Sequence, residues 1–159
     1  IFGGSGGVLE AALRTVYAKV TGHELDDVNF TAVRGMAGIR EAEVVVGDRA
    51  IKVAAVSGLG NARKVLEKIK RHEEHYDVIE IMACPGGCVN GGGQPYAQER
   101  EEIIEKRLHG LYQIDRNSKV RKSHLNPAIQ GLYEEFLGEA GSQKAHEILH
   151  VEEMFTEKE

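Results

Sequence analysis

The chain has 159 residues, enough for a domain with its own core, and a hydrophobic content of 42% that excludes a disordered polypeptide. Its net charge of −5 leaves no Lys/Arg surplus to neutralise phosphates, which argues against a nucleic-acid partner, and its short basic clusters (Lys68–Lys70–Arg71 and Lys119–Arg121–Lys122) are flanked by acids and read as solvated surface. No apolar run reaches membrane-spanning length and no secretory signal pattern is present.

In chain order, Gly3-Gly4-Ser5-Gly6-Gly7 is a glycine-rich turn that opens a helix over residues 7–20, with Leu9, Leu13, Val16, Tyr17 and Val20 at helical spacing and Gly22 as its stop. Residues 30–34 predict a short strand. The Val-, Ile- and Ala-rich runs 43–46 and 50–56 around Gly47-Asp48 predict a β-hairpin. Gly58-Leu59-Gly60 breaks the second strand, and Asn61 is placed to cap a helix running to about His72, with Val65, Leu66 and Ile69 as its apolar stripe. A compact apolar strand over 77–82 leads straight into two cysteines and a run of glycines. A charged helix from about Gln98 to Tyr112 follows, then helices over 127–137 and 143–150 separated by Gly138 and Gly141, and a frayed acidic tail after Val151. The sum is an α/β fold, a small mixed sheet flanked by helices, with a helical C-terminal extension and no Pro-, Gly- or Ser-rich linker between the two parts. The start at Ile1, inside a glycine turn that a strand ordinarily precedes, reads as a piece of a longer polypeptide.

Chemistry concentrates where that last strand ends. Cys84 and Cys88 follow it directly, and in α/β sheets ligands gather at the carboxyl ends of strands. Five glycines (Gly86, Gly87, Gly91, Gly92 and Gly93) surround them, and glycine permits both left-handed backbone angles and close approach of the main chain to a bulky group. Backbone N–H groups of such a loop can donate to cluster sulfurs and tune a reduction potential. Thiolates suit iron–sulfur clusters, zinc or copper(I), and the Cys-x₃-Cys spacing falls within the zinc range. A disulfide across three residues closes a strained loop, and two cysteines are few for a secreted small domain, so metal chemistry in a cytoplasmic setting is expected. The bland alternative is an ordinary glycine-rich loop with two small buried cysteines.

The full string Ile81-Met82-Ala83-Cys84-Pro85-Gly86-Gly87-Cys88-Val89-Asn90-Gly91-Gly92-Gly93-Gln94-Pro95 resembles the third cluster-binding signature of the iron-only (FeFe) hydrogenases. Phe2-Gly3-Gly4-Ser5-Gly6-Gly7 and the following helix, Val33-Arg34-Gly35, Glu41-Ala42-Glu43, Arg121-Lys122-Ser123-His124 and Ala145-His146-Glu147-Ile148-Leu149-His150 resemble further segments of that family, in the same order and over nearly the whole chain. The resemblance implies one lobe of the iron-hydrogenase fold: residues 1–116 as the C-terminal lobe of the catalytic domain and 117–159 as a small-subunit-like helical tail. It implies a 4Fe–4S cubane joined to a di-iron subsite with CO, cyanide and a bridging dithiolate (the H-cluster), and reversible reduction of protons to dihydrogen. By matched position Cys84 binds the cubane, Cys88 bridges cubane and di-iron subsite, Met82 packs beside the di-iron subsite, and Phe2, Gly3, Gly6 and Gly7 line the same pocket.

The family's two earlier signatures are absent from this chain, and with them the other two cubane cysteines, a proton-relaying cysteine and a lysine that contacts a cyanide. The cluster is therefore expected to be only partly liganded here and the chain alone to be inactive. Its partners are expected to be the remaining N-terminal part of the domain or a second subunit, and ferredoxin or a nicotinamide-linked electron-transfer subunit. The cysteine string also resembles eukaryotic iron–sulfur assembly proteins of the same superfamily, and a sensory hydrogenase-like role is a third reading.

Other motifs are weaker. His146-Glu147-Ile148-Leu149-His150 matches a zinc-protease pattern, with Glu152 and Glu153 as poor third ligands. Gly58-Leu59-Gly60-Asn61-Ala62-Arg63 has Arg63 where a dinucleotide turn needs a small residue. The turn before the first helix could cradle an anion, but it lacks phosphate-binding Lys and Ser/Thr at the right spacing. Glu99, Glu101, Glu102 and Glu105 read as a solvated helix face, with Glu102–Lys106 as a supporting pair.

Overall fold

A computed structural model describes residues 1–96 and 100–150. The expected helix start at Gln98, Glu99, and the tail with Glu152 and Glu153 lie outside the described residues. The chain divides into two compact units, Ile1–Arg121 and Lys122–Glu159.

The first unit is a three-stranded sheet in the order β1-β2-β3, built from β1 (Ile39–Val46), β2 (Arg49–Ser57) and β3 (Val78–Met82). β1 and β2 form the expected antiparallel hairpin, longer than the sequence suggests, with Val46 opposite Arg49. Gly47, at φ +65°, supplies the backbone that a two-residue turn needs at its first central position. β2 then pairs with β3 in parallel, Ser57 opposite Met82. The crossover between them is α2 (Leu59–Lys70).

Residues Val53 to Ser57 of β2 are buried, because both faces of the sheet are covered. On one face α1 (Gly7–Thr21) sets Leu9 and Leu13 against Val33, Val53 and Ala55. On the other, α2 sets Ala62 and Val65, with Tyr76, against Ala54 and Val56. A third cluster joins Val89 to Ile104 and Leu108 of α3 (Arg100–Asn117).

Several expectations need correction. Residues 30–34 are not a strand: Thr31–Val33 is a 3-10 turn that drops Val33 into the core. Gly58, not Asn61, caps α2. Asn61 lies inside the helix, and its amide reaches back to the Ser57 carbonyl at 2.8 Å. Leu66 faces outward, so the buried stripe is Ala62–Val65, with Ile69 half-buried. On α1 the buried positions are Leu9, Glu10, Leu13 and Arg14, whereas Val16 and Val20 are exposed. Apolar periodicity missed this because half of the buried stripe is charged.

Among the described residues the second unit holds two short α-helices. α4 (Pro127–Leu132) is capped by the Asn126 side chain and continues into a wide turn, Tyr133–Leu137, that ends at Gly138. α5 (Gln143–Leu149) is capped by Ser142. Leu137 and Ala145 are the unit's buried apolar side chains among the described residues.

Candidate functional site

β2 and β3 run parallel, so their carboxyl ends lie side by side, and the Gly58 N–H donates to the Met82 carbonyl at 2.8 Å. The chain leaves β3 at Met82 and turns at once. The Gly87 N–H donates to the Cys84 carbonyl (2.9 Å) and a 3-10 turn, Cys88–Asn90, follows. Cys84 is half-buried and Cys88 exposed, and both thiols are free. This departs from the bland expectation of two buried cysteines: an unreacted structural Cys is among the most buried residue types, and this pair sits at the surface on one loop.

The loop is fastened to the turn that opens α1. Ser5 N–H donates to the Gly86 carbonyl and Val89 N–H to the Gly3 carbonyl, each at 3.0 Å. Contact is close enough that a Cβ on Gly87 would stand 2.5 Å from the Ser5 nitrogen, and Gly87 holds φ at +99°. Glycine is obligatory there on both counts. A Cβ on Gly91 would lie 3.8 Å from the Cys84 sulfur, so the second half of the loop folds back beside that thiol.

Two further elements brace the arrangement. Glu80, on β3, accepts from the Gly6 N–H and from the Leu9 N–H (2.8 Å), so its carboxylate caps the first turn of α1. The N-terminus of α1 is thus already satisfied by the chain itself and is not an open anion site. From the other side, Arg107 of α3 donates to the carbonyls of Val89 (2.9 Å) and Pro95 (2.8 Å). Arg100 Nε donates to Asn90 Oδ1 (2.7 Å), whose amide in turn donates to the Pro85 carbonyl (3.0 Å).

Among the residues singled out in the sequence, Gly3 touches the cysteine loop directly through its carbonyl. Gly6 and Gly7 are buried for a different reason: a Cβ would strike the Val33 carbonyl at 1.9 Å from Gly6, or the Ile1 carbonyl at 2.0 Å from Gly7. They let the turn pack on its own backbone. Phe2 is 57% exposed and Ile81 43%, while Met82 is half-buried. Ser57, opposite Met82, is buried with its hydroxyl unpartnered among the described residues.

The donor chemistry fits one half of a cluster site. Two soft sulfur donors stand on one glycine-framed loop, and no group of three or more His, Cys, Asp or Glu is gathered among the described residues. His146 and His150 stack on α5 with ring centroids 4.7 Å apart, and Glu147 is taken by a 2.8 Å bond from Gln143.

Sequence reasoning missed Glu80 and a buried charge network. Arg14 bonds Glu10 (2.7 Å), both oxygens of Asp115 (2.8 and 2.9 Å) and the carbonyls of Val28 and Arg121. Arg34 joins through Glu10, and Arg121 through Asp115. Burial alone would raise the Asp115 pKa, but the hydrogen bonds and charges of Arg14 and Arg121 overcome it and hold it at about 2. The one available signal was the i, i+4 spacing of Glu10 and Arg14, which ordinarily marks a solvated pair.

Comparison with known proteins gives the class of this lobe. The family model of the iron-only hydrogenase large subunit, C-terminal domain, matches residues 1–92, and that of the iron hydrogenase small subunit matches residues 101–152. The chain belongs to the iron-only hydrogenase family. It is 49% identical to the NADP-reducing hydrogenase subunit HndD of Solidesulfovibrio fructosivorans, over 94% of this chain and 26% of that protein. It is 34% identical to cytosolic iron-sulfur assembly component 3 of Bos taurus, over 98% of this chain and 32% of that one. Among solved structures, a variant of the FeFe-hydrogenase HydA1 from Chlamydomonas reinhardtii superposes with a TM-score of 0.76 at 39% identity, over 95% of this chain and 45% of the other. The chain thus spans between a quarter and a third of these curated relatives. No helix among the described residues is long and apolar enough to cross a membrane.

Proposed function

We propose that this chain forms the C-terminal lobe of a hydrogenase catalytic domain and supplies two of the thiolates that hold its iron–sulfur cofactor. The observation that carries the reading is the Cys84–Cys88 loop, pinned by two backbone hydrogen bonds to the Gly3–Ser5 turn at the carboxyl end of β3. When bound, a 4Fe–4S cubane linked to a di-iron subsite supplies redox-active iron that interconverts two protons and two electrons with dihydrogen.

Each residue then has a definite task. Cys84 would hold the cubane and Cys88 would be the second thiolate of this chain, placed toward the di-iron subsite. The Phe2–Gly7 turn and Met82 would wall the pocket. Glu80 fixes the turn by holding the first N–H groups of α1, and Arg107 holds the peptides after Cys88. The remaining thiolates, the proton relay and the cyanide-contacting lysine come from the rest of the domain or from a second subunit, so the chain alone is inactive. Electrons arrive from ferredoxin or a nicotinamide-linked subunit. The 49% identity to a subunit of an NADP-reducing hydrogenase supports the latter.

The identity of 34% to an iron–sulfur assembly component favours a second reading, a non-catalytic protein that carries clusters without a di-iron subsite. Infrared spectra of the complete, anaerobically loaded protein separate the two. Bands of iron-bound CO and cyanide, accompanied by hydrogen turnover and lost in Cys88→Ser, are the expected result. Cluster iron without those bands, and without turnover, would establish the assembly reading.

A further inference from the structure

Arg40, on β1, is a buried cation with no role in the site as described so far. Only 7% of it is exposed. Its four side-chain hydrogen bonds all end on neutral oxygens: the carbonyls of Val33 (2.9 Å), Gly35 (2.8 Å) and Ala37, and the hydroxyl of Ser5 (2.8 Å). This contrasts with Arg14 and Arg34, each of which is neutralised by carboxylates. A buried charge that lacks an opposite charge is costly, and proteins seldom retain one without a compensating group. Burial pulls the Arg40 pKa down, and Glu80, which acts on it in the opposite sense, is already committed to the N-terminus of α1.

The bond to Ser5 shows where the charge is directed. Ser5 is fully buried and its N–H donates to the Gly86 carbonyl at 3.0 Å, between the two cysteines. Ser5 therefore joins the two, accepting from the Arg40 guanidinium through its hydroxyl and donating to the cysteine loop through its N–H. A thiolate-bound cluster carries net negative charge, and that charge grows by one on reduction. A fixed cation behind the loop favours the reduced form, since net charge and hydrogen bonding around a cluster set its potential.

We propose that Arg40 is the positioning residue and buried countercharge of the Cys84–Cys88 loop, raising the reduction potential of the cluster held there through Ser5 and Gly86. The proposal rests on the cofactor reading above and identifies what this chain contributes beyond its ligands.

The test is a spectroelectrochemical titration of the complete, cofactor-loaded protein with Arg40→Gln, Arg40→Lys and Ser5→Ala, alongside iron and sulfide analysis. Arg40→Gln keeps an amide to serve the carbonyls but removes the charge. The expected result is wild-type iron content with a midpoint potential shifted downward, restored in large part by Arg40→Lys. Ser5→Ala, which keeps the charge and cuts the connection, shifts the potential the same way by less. If Arg40→Gln does not fold, Ser5→Ala carries the test. Full iron with an unchanged potential in whichever variant folds overturns the proposal and leaves Arg40 a packing residue. A wild-type complete protein that holds no iron and sulfide would overturn the cofactor reading itself, a distinguishable failure.

Discussion

Around α1 the chain builds two polar centres that differ in how far they are finished. The charge network of Glu10, Arg14, Arg34, Asp115 and Arg121 is closed: every acid faces a guanidinium, and the spare N–H groups of Arg14 reach carbonyls. The loop of Cys84 and Cys88 is fastened as firmly on its inner side, by Ser5, Val89 and Arg107, yet its outer side presents an exposed thiol at Cys88. One centre holds a fold together and is complete within this chain. The other carries two free thiols, and under the proposed function it is one half of a cofactor site.

The contrast can be broken most severely at Arg14. Arg14→Met removes the cation that Glu10 and Asp115 share, leaving Glu10 to Arg34 and Asp115 to Arg121, and should destabilise the protein by about 3 kcal/mol. Denaturant unfolding measures it, and a loss below about 1 kcal/mol would mean that the network is not what secures α1. Next is Gly87→Ala, which places a Cβ against Ser5 at positive φ. It should cost about 1–3 kcal/mol and lower iron loading while far-ultraviolet dichroism stays unchanged, because the strain falls on the open centre.

Acid sharpens the comparison. Asp115 is held at about 2, below its ordinary 3.8. Its ionised form therefore stabilises the fold above about pH 4, and that contribution, on the order of 2 kcal/mol, is lost as the pH falls through about 2. Unfolding followed against pH should show this loss in the wild type and a smaller one in Arg14→Met, where Arg121 alone still holds Asp115. The smallest effect is expected for Glu102→Ala, which removes an exposed pair with Lys106 on α3 and should change stability by about 0.5 kcal/mol or less.

What the sequence made legible follows the same division. The hairpin, the strand into Cys84 and the helix at Gly7 are written in local pattern: alternation, apolar runs and glycine stops. The cysteine loop could be identified because its chemistry is contiguous. The closed network could not, since a buried Glu10 or Arg14 looks like any solvated charge until Asp115, a hundred residues on, is brought beside it. Glu80 was missed for the same reason. Glu80 reads as the polar position of an alternating strand, and its capping of α1 exists only after β3 packs beneath that helix. Residues 30–34 misled in the opposite way: Thr31 and Val33 suggested a strand, but the segment forms a 3-10 turn and Val33 is used to plug the core.

The most direct test of the half-site is iron and sulfide analysis of the native assembly that carries this chain, with its subunits weighed by native mass spectrometry. The expected result is one 4Fe–4S cubane and one di-iron subsite per assembled site, with the remaining cysteines on the rest of the polypeptide or on a second one, and iron lost when Cys84 and Cys88 are both replaced by Ser. An assembly that keeps its full iron in that double variant would contradict it, because the thiols of this loop would then hold nothing.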